Sequence, residues 1–161
     1  MSKLNNNLNK IYKFSGYIAA FFLILVAAFI LIGISSRIFG FYIRGLAEYS
    51  GYCMAASSFL ALAYTFGEKG HIRITLFLEK SNKSIRKILE LWCLTVATFF
   101  SGFLSFYFIK MLMISFKFQE RSEGADEILI WIPQTSVAIG STIFFICVLH
   151  NFILLILKKN N

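Results

Sequence analysis

EYSGYCMAASSFLALAYTFGEKGHIRIT, residues 48–75, is the stretch whose reading decides the fold. Between Tyr49 and Gly67 no side chain carries charge. At about 1.5 Å per helical residue, that run approaches the roughly 30 Å of hydrocarbon in a bilayer. Glu48 stands before it and Glu68, Lys69, His71 and Arg73 stand after it. Charge inside lipid is costly, so these groups mark where a membrane crossing begins and ends. Along the crossing, Gly51, Ala55 and Ser58 share one helical face and Ser57 and Ala61 another. Small residues at that spacing let helix backbones approach closely where lipid supplies no hydrophobic drive. The span is therefore expected to have helical neighbours.

Three further runs have the same character. Residues 14–36 are uncharged and end at Arg37. That is longer than the roughly 7–15 apolar residues of a signal peptide, so the run reads as a first crossing. Residues 91–109 form a third, with Phe99, Phe103 and Phe106 on one face, and the helical pattern continues through Lys110 to Phe118. Residues 128–157 contain no Asp, Glu, Lys or Arg. There the crossing is placed at about 134–157, behind a lead-in bearing Trp131, with Pro133 suited to a first helical turn. The expected fold class is all-α integral membrane. It consists of four transmembrane helices at about 14–36, 49–67, 91–109 and 134–157, forming a single membrane domain over residues 1–161.

Composition agrees. Hydrophobic residues make up 58% of the 161, with 19 Phe and a single Pro, well beyond an ordinary soluble domain. The formal charge of +8 does not point to nucleic acid, because the Lys and Arg lie at the ends of apolar runs rather than in one patch. Anionic membrane lipid is the counter-charge expected. Cys53, Cys93 and Cys147 lie apart in separate apolar runs, which permits neither a redox pair nor a zinc spacing.

The connections carry amphipathic patterns. Leu4, Leu8, Ile11 and Tyr12 repeat at helical spacing against Lys3, Lys10 and Lys13, which predicts an interfacial helix at the N-terminus. Ile85, Ile88, Leu89 and Trp92 do the same between spans two and three, predicting a second one. The segment 38–47 is rich in Gly and aromatics and suits a turn at the headgroups. In 117–127, Gly124 is the expected helix stop or turn. Of the Lys and Arg residues, three precede the first span, six lie in 68–90 and two follow the last. Two lie in the first connection and three in the third. Eleven against five predicts both termini in the cytoplasm.

Candidate functional residues are few. Glu48, at a helix end, is expected to pair with Arg37 or Arg44. His150 with His71 would be the nearest approach to haem b ligation, the alternative of a stand-alone four-helix electron carrier. His71, however, lies in a charged loop at another depth, and the better reading is a neutral His150 hydrogen-bonded to a neighbouring helix beside Asn151. A small exporter is another alternative. No Ser-His-Asp, metal or phosphate-loop constellation is present, so neither an enzyme nor a cofactor is expected. The remaining candidates are partner or lipid contacts: Arg37, Arg44, Glu48, Gly51, Ala55, Ser58, His71, Arg73, Ile85, Ile88 and Trp92.

Glu48, the Ala63-Tyr64 pair and Gly70-His71-Ile72-Arg73, with Ile132-Pro133 and Ile139-Gly140 later, together resemble the small membrane subunit of TRAP transporters, the tripartite ATP-independent periplasmic transporters. The chain departs from that pattern at Ala61, Ala56 and Gly51, where a Gly, a bulky aromatic and a basic residue are expected. The resemblance implies a four-helix permease subunit of a bacterial inner membrane. Its implied partners are a large multi-span transport subunit and a periplasmic substrate-binding protein. It further implies sodium-driven uptake of an organic acid, a dicarboxylate or a sialic acid.

Overall fold

The computed structural model describes residues 2–67, 83–124 and 126–159, with side chains over 8–67, 88–124 and 126–157. The described residues form four helices: α1 (Ser2–Ile38), α2 (Leu46–Gly67), α3 (Lys83–Phe118) and α4 (Trp131–Lys159). Among the described residues, three stretches are long and apolar enough to cross a membrane: Leu8–Ile38, Ile88–Phe118 and Trp131–Leu157. α2 is not one of them. Its 22 residues include Glu48, three tyrosines, Ser50, Ser57, Ser58 and Thr65, which dilute the apolar content.

Neither expected interfacial helix is a separate element. Residues 4–12 are the opening turns of the 37-residue α1, and residues 85–92 those of the 36-residue α3. No Gly or Pro stands between the amphipathic opening and the apolar run in either helix, so nothing interrupts the hydrogen-bond ladder. At about 1.5 Å per residue, both helices far exceed the roughly 30 Å needed for a crossing. α3 reaches Phe118, as its periodicity predicts.

The helices stand in a row in the order α1, α2, α4, α3. α2 packs on α1 and on α4, α4 packs on α3, and α1 meets α4 only slightly. One end of the row carries the turns 39–45 and 119–130, here called the loop end. The other carries residues 2 and 159, here called the terminal end. Small side chains and hydroxyls hold the seams, as expected where helices associate without a hydrophobic drive. Ser57 Oγ donates to the Ala19 carbonyl at 2.9 Å, and Ser15 Oγ donates to the Leu60 carbonyl. Across α3 and α4, Ser105 and Thr142 share a hydrogen bond at 3.0 Å. Gly140 brings α4 onto α2 so closely that a Cβ there would lie 2.7 Å from the carbonyl carbon of Phe59. Towards the terminal end, Tyr12, Ala63 and Cys147 form a buried cluster joining α1, α2 and α4.

The face of α2 in contact with its neighbours is Ala56, Ser57, Leu60 and Ala63. Ser57 was expected there. The other small-residue face, Gly51, Ala55 and Ser58, turns away from the row: Gly51 and Ser58 are exposed, Ala55 is half-buried, and nothing lies within 4 Å of a Cβ at Gly51. Sequence spacing gives both stripes equally, and only the placement of α1 and α4 selects between them.

Candidate functional site

The polar groups at the loop end gather around the start of α2. The chain leaves α1 through Gly40, whose φ of 77° lets the Phe41 amide reach back to the Ser36 carbonyl at 3.0 Å. That is a left-handed helix stop of the kind glycine favours. Phe39, Phe41 and Tyr42 then lie exposed, 77%, 54% and 77% accessible, suiting rings that settle at a headgroup boundary. Gly45, with φ 75°, turns the chain into α2, and the Tyr49 amide donates to its carbonyl at 3.0 Å. Glu48 falls in the first turn of α2, where the helix dipole favours a carboxylate.

α3 stops at Gln119 (φ 50°) rather than at Gly124. The Glu120 amide bonds the Ser115 carbonyl at 3.1 Å, and Gln119 Nε2 bonds the Phe116 carbonyl at 2.8 Å, so two of the open carbonyls are satisfied without glycine. The loop then folds as a narrow ribbon. The Ser122 amide donates to Ile128 O at 2.7 Å and the Ile130 amide to Glu120 O at 3.0 Å, around a bridge between Arg121 and Leu129. Arg121 and Glu127 form an ion pair at 3.6 Å. Being well exposed, it contributes little to stability.

This ribbon lies over the α2 start. Tyr49 Oη donates to Asp126 Oδ2 at 2.8 Å, and the Tyr52 and Ser122 hydroxyls share a hydrogen bond at 2.8 Å. Gly124 is needed for close approach, since a Cβ there would overlap the Glu48 carboxylate. A Cβ at Gly45 would likewise overlap Asp126. Beside the ribbon, between the end of α1 and the start of α2, lies a cavity of about 310 Å³. Phe29, Ile30 and Ile34 line it along with Arg37, Glu48 and Ser50. It offers an apolar wall and groups of both charges, a combination suited to a polar-headed segment of a lipid or a partner rather than to bond chemistry.

The sequence candidates therefore separate. Arg37 and Glu48 share this cavity, and Arg44 is exposed on the adjoining turn. Gly51, Ala55 and Ser58 descend from it along the outward face of α2. Ile88 and Trp92, each 68% exposed, lie in the opening turns of α3, near the terminal end. Ile85 is in the same helix, its side chain outside the described region, and His71 and Arg73 lie outside the described residues. His150 is half-buried, its ring 6.5 Å from that of Tyr12. Among the described residues, no group of three or more His, Cys, Asp or Glu converges as metal ligands would. Sequence reasoning passed over Tyr49, Tyr52, Ser122 and Asp126. The available signal was two tyrosines one turn apart at the start of a helix, with an acidic loop elsewhere to receive them.

A search among curated proteins gave no match. The sequence family described as the tripartite ATP-independent periplasmic transporters, DctQ component, matches residues 25–158. That range runs from within α1 to near the end of α4 and takes in the cavity and the ribbon. The family is one of transporter components and not of enzymes. With most of its 161 residues matched, the chain belongs to the TRAP transporters as their DctQ component, the small permease subunit.

Proposed function

We propose that this subunit is the fixed membrane frame of its transporter, anchoring a large transport subunit while a periplasmic binding protein delivers an organic acid for sodium-driven uptake. The observation that carries this reading is the shape of the row. α1 and α3 each touch a single main neighbour and turn the rest of their circumference outward. Phe14, Tyr17, Phe21 and Ile24 on α1 are 57–75% exposed, as are Phe99, Phe100 and Phe106 on α3, at 63–70%. Two such flanks give a wide apolar surface for lipid on one side and a partner on the other. α2 crosses with the other three helices, shielded between α1 and α4. Inserted in a bacterial inner membrane, the four spans bring both termini to the cytoplasm. The Lys and Arg imbalance supports that orientation. The candidate contacts at Arg37, Arg44 and Glu48 then face the periplasm, with Gly51, Ala55 and Ser58 below them. His71, Arg73, Ile85, Ile88 and Trp92 serve the cytoplasmic boundary.

Reconstitution tests the proposal. The large subunit and the binding protein are placed in vesicles with and without this chain, and uptake of a dicarboxylate or a sialic acid is followed under an imposed sodium gradient. Uptake that needs the chain, with substrate preference unaltered by mutation of Arg37 or Glu48, is the expected result. Equal uptake without the chain, or a preference that shifts with those residues, would overturn the framing role.

A further inference from the structure

Lys110 lies inside the helix row, eight residues before the end of α3 at Phe118. α3 and α4 keep one antiparallel register: a Cβ on Gly102 would touch the Phe145 ring at 3.0 Å, Ser105 meets Thr142, and Phe116 packs on Trp131 with ring centroids 5.4 Å apart. Carried along, that register sets Lys110 level with Val137. Gly140 lies against the backbone of Phe59 and Leu60, which sets Val137 level with Ala56. The Phe59 and Phe108 rings, 5.1 Å apart, agree. On α2 that level is about 15 Å from either end; on α3 it is about 12 Å before Phe118 and on α4 about 9 Å past Trp131, so Lys110 lies within the apolar length of the row, on its loop-end side.

The side chain does not escape towards the nearer water. Lys110 is exposed, and its Nζ lies 6.0 Å from the centroid of the Tyr107 ring, one turn towards the start of α3 and away from the loop end. Helical side chains lean in that direction. Around it, Phe103, Phe106 and Met113 are 55%, 63% and 65% exposed. Among the described residues Lys110 has no carboxylate partner. A lone ammonium on an outward apolar face at this depth is costly in lipid, and charges so placed pair within an assembly. The side chain leans away from the headgroups of the loop end, so a lipid phosphate there is not the partner its direction favours. A second copy of this chain has no suitable acid either: among the described residues, Glu48, Glu120, Glu123, Asp126 and Glu127 lie at the loop end and Glu90 in the opening turns of α3.

The geometry points to the α3 face of Phe103, Phe106, Tyr107, Lys110 and Met113 as the seat of the large transport subunit, with Lys110 paired to a carboxylate on one of that subunit's membrane helices. This rests on the proposed role of the chain as that subunit's frame. The test co-expresses the tagged chain with the large subunit of its own system and measures the ratio of the two after purification in mild detergent. Lys110→Met and Lys110→Glu are expected to lower the retained subunit about tenfold or more, and Lys110→Arg to hold it within about twofold. Circular dichroism and monodispersity of each variant chain report that it still folds. In parallel, a photo-cross-linking residue at Met113 of the otherwise unaltered chain is expected to yield an adduct with the large subunit. Full retention by both Lys110→Met and Lys110→Glu overturns the inference. So does an adduct to a second copy, or none with the large subunit, while the framing role stands as long as the unaltered chain retains its partner. Failure of the unaltered chain to hold the large subunit instead removes the framing role itself.

Discussion

Replacing Gly140 with Ala puts a methyl 2.7 Å from the carbonyl carbon of Phe59 and 2.9 Å from the Leu60 nitrogen. Such atoms rest at about 3.5–4.0 Å, so the two helices must part by about 1 Å at their crossing. Both neighbours are backbone, and no rotamer change relieves the overlap. Overpacking of this kind costs about 1–3 kcal/mol. Ala also gains about 1 kcal/mol over Gly inside a helix. Gly140→Ala is therefore expected to be neutral to destabilising by about 2 kcal/mol. Gly51→Ala is the matched control, since nothing lies within 4 Å of its added methyl. It keeps the propensity gain alone and should be stabilising by about 1 kcal/mol or less. Equilibrium unfolding in mixed micelles titrated with sodium dodecyl sulfate, followed by circular dichroism, compares the two variants. If Gly140→Ala proves as stable as Gly51→Ala, the close α2–α4 crossing is wrong.

The loop ribbon should loosen when Asp126→Ala removes the acceptor of Tyr49. Losing one such bond, about 1 kcal/mol, raises amide exchange across 122–128 about fivefold, and unchanged exchange would refute the clamp. Tyr12 Oη is buried beside the Cys147 thiol, a weak partner, and makes no hydrogen bond of full geometry among the described residues. Tyr12→Phe should thus be neutral or stabilising by about 1 kcal/mol in the same unfolding assay, and a clear loss of stability would contradict this. Ser57→Ala removes the bond to Ala19, and bonds between membrane helices average about 0.6 kcal/mol, so a loss above about 2 kcal/mol would show that more than this bond is at stake. A reporter active only in the cytoplasm should work when fused after Lys159 or within 80–87 and fail within 120–126; activity at the last position would reverse the orientation.

Three of the described helices were legible in the sequence because lipid imposes a one-dimensional rule: a run free of charge and long enough to cross must satisfy its backbone internally, and the helix does so. α2, less apolar, was legible from its uncharged run between Glu48 and Glu68. Charge marked some of their ends: α1 stops one residue past Arg37, α2 begins two residues before Glu48, and α4 runs to Lys159. The break expected after Tyr12 and before Leu91 was a misreading of amphipathicity. A polar face predicts what surrounds a helix, whereas only a conformational breaker interrupts it, and none stands there.

The tertiary structure decided which residues meet. Gly51 and Ser57 both lie on small-residue stripes of α2, yet only the face bearing Ser57 has neighbours, because α1 and α4 flank that side. Glu48 was identifiable as a charge at a helix end, but its contact with Gly124 joins residues far apart in the chain and depends on Gln119 adopting a left-handed turn that its residue type does not announce. Lys110 shows the division most plainly. Along the chain it reads as a charge ending an apolar run. The registers that set it level with Val137 and Ala56 place it alongside the middle of α2, because a charge's setting belongs to the packed helices together and not to any one of them.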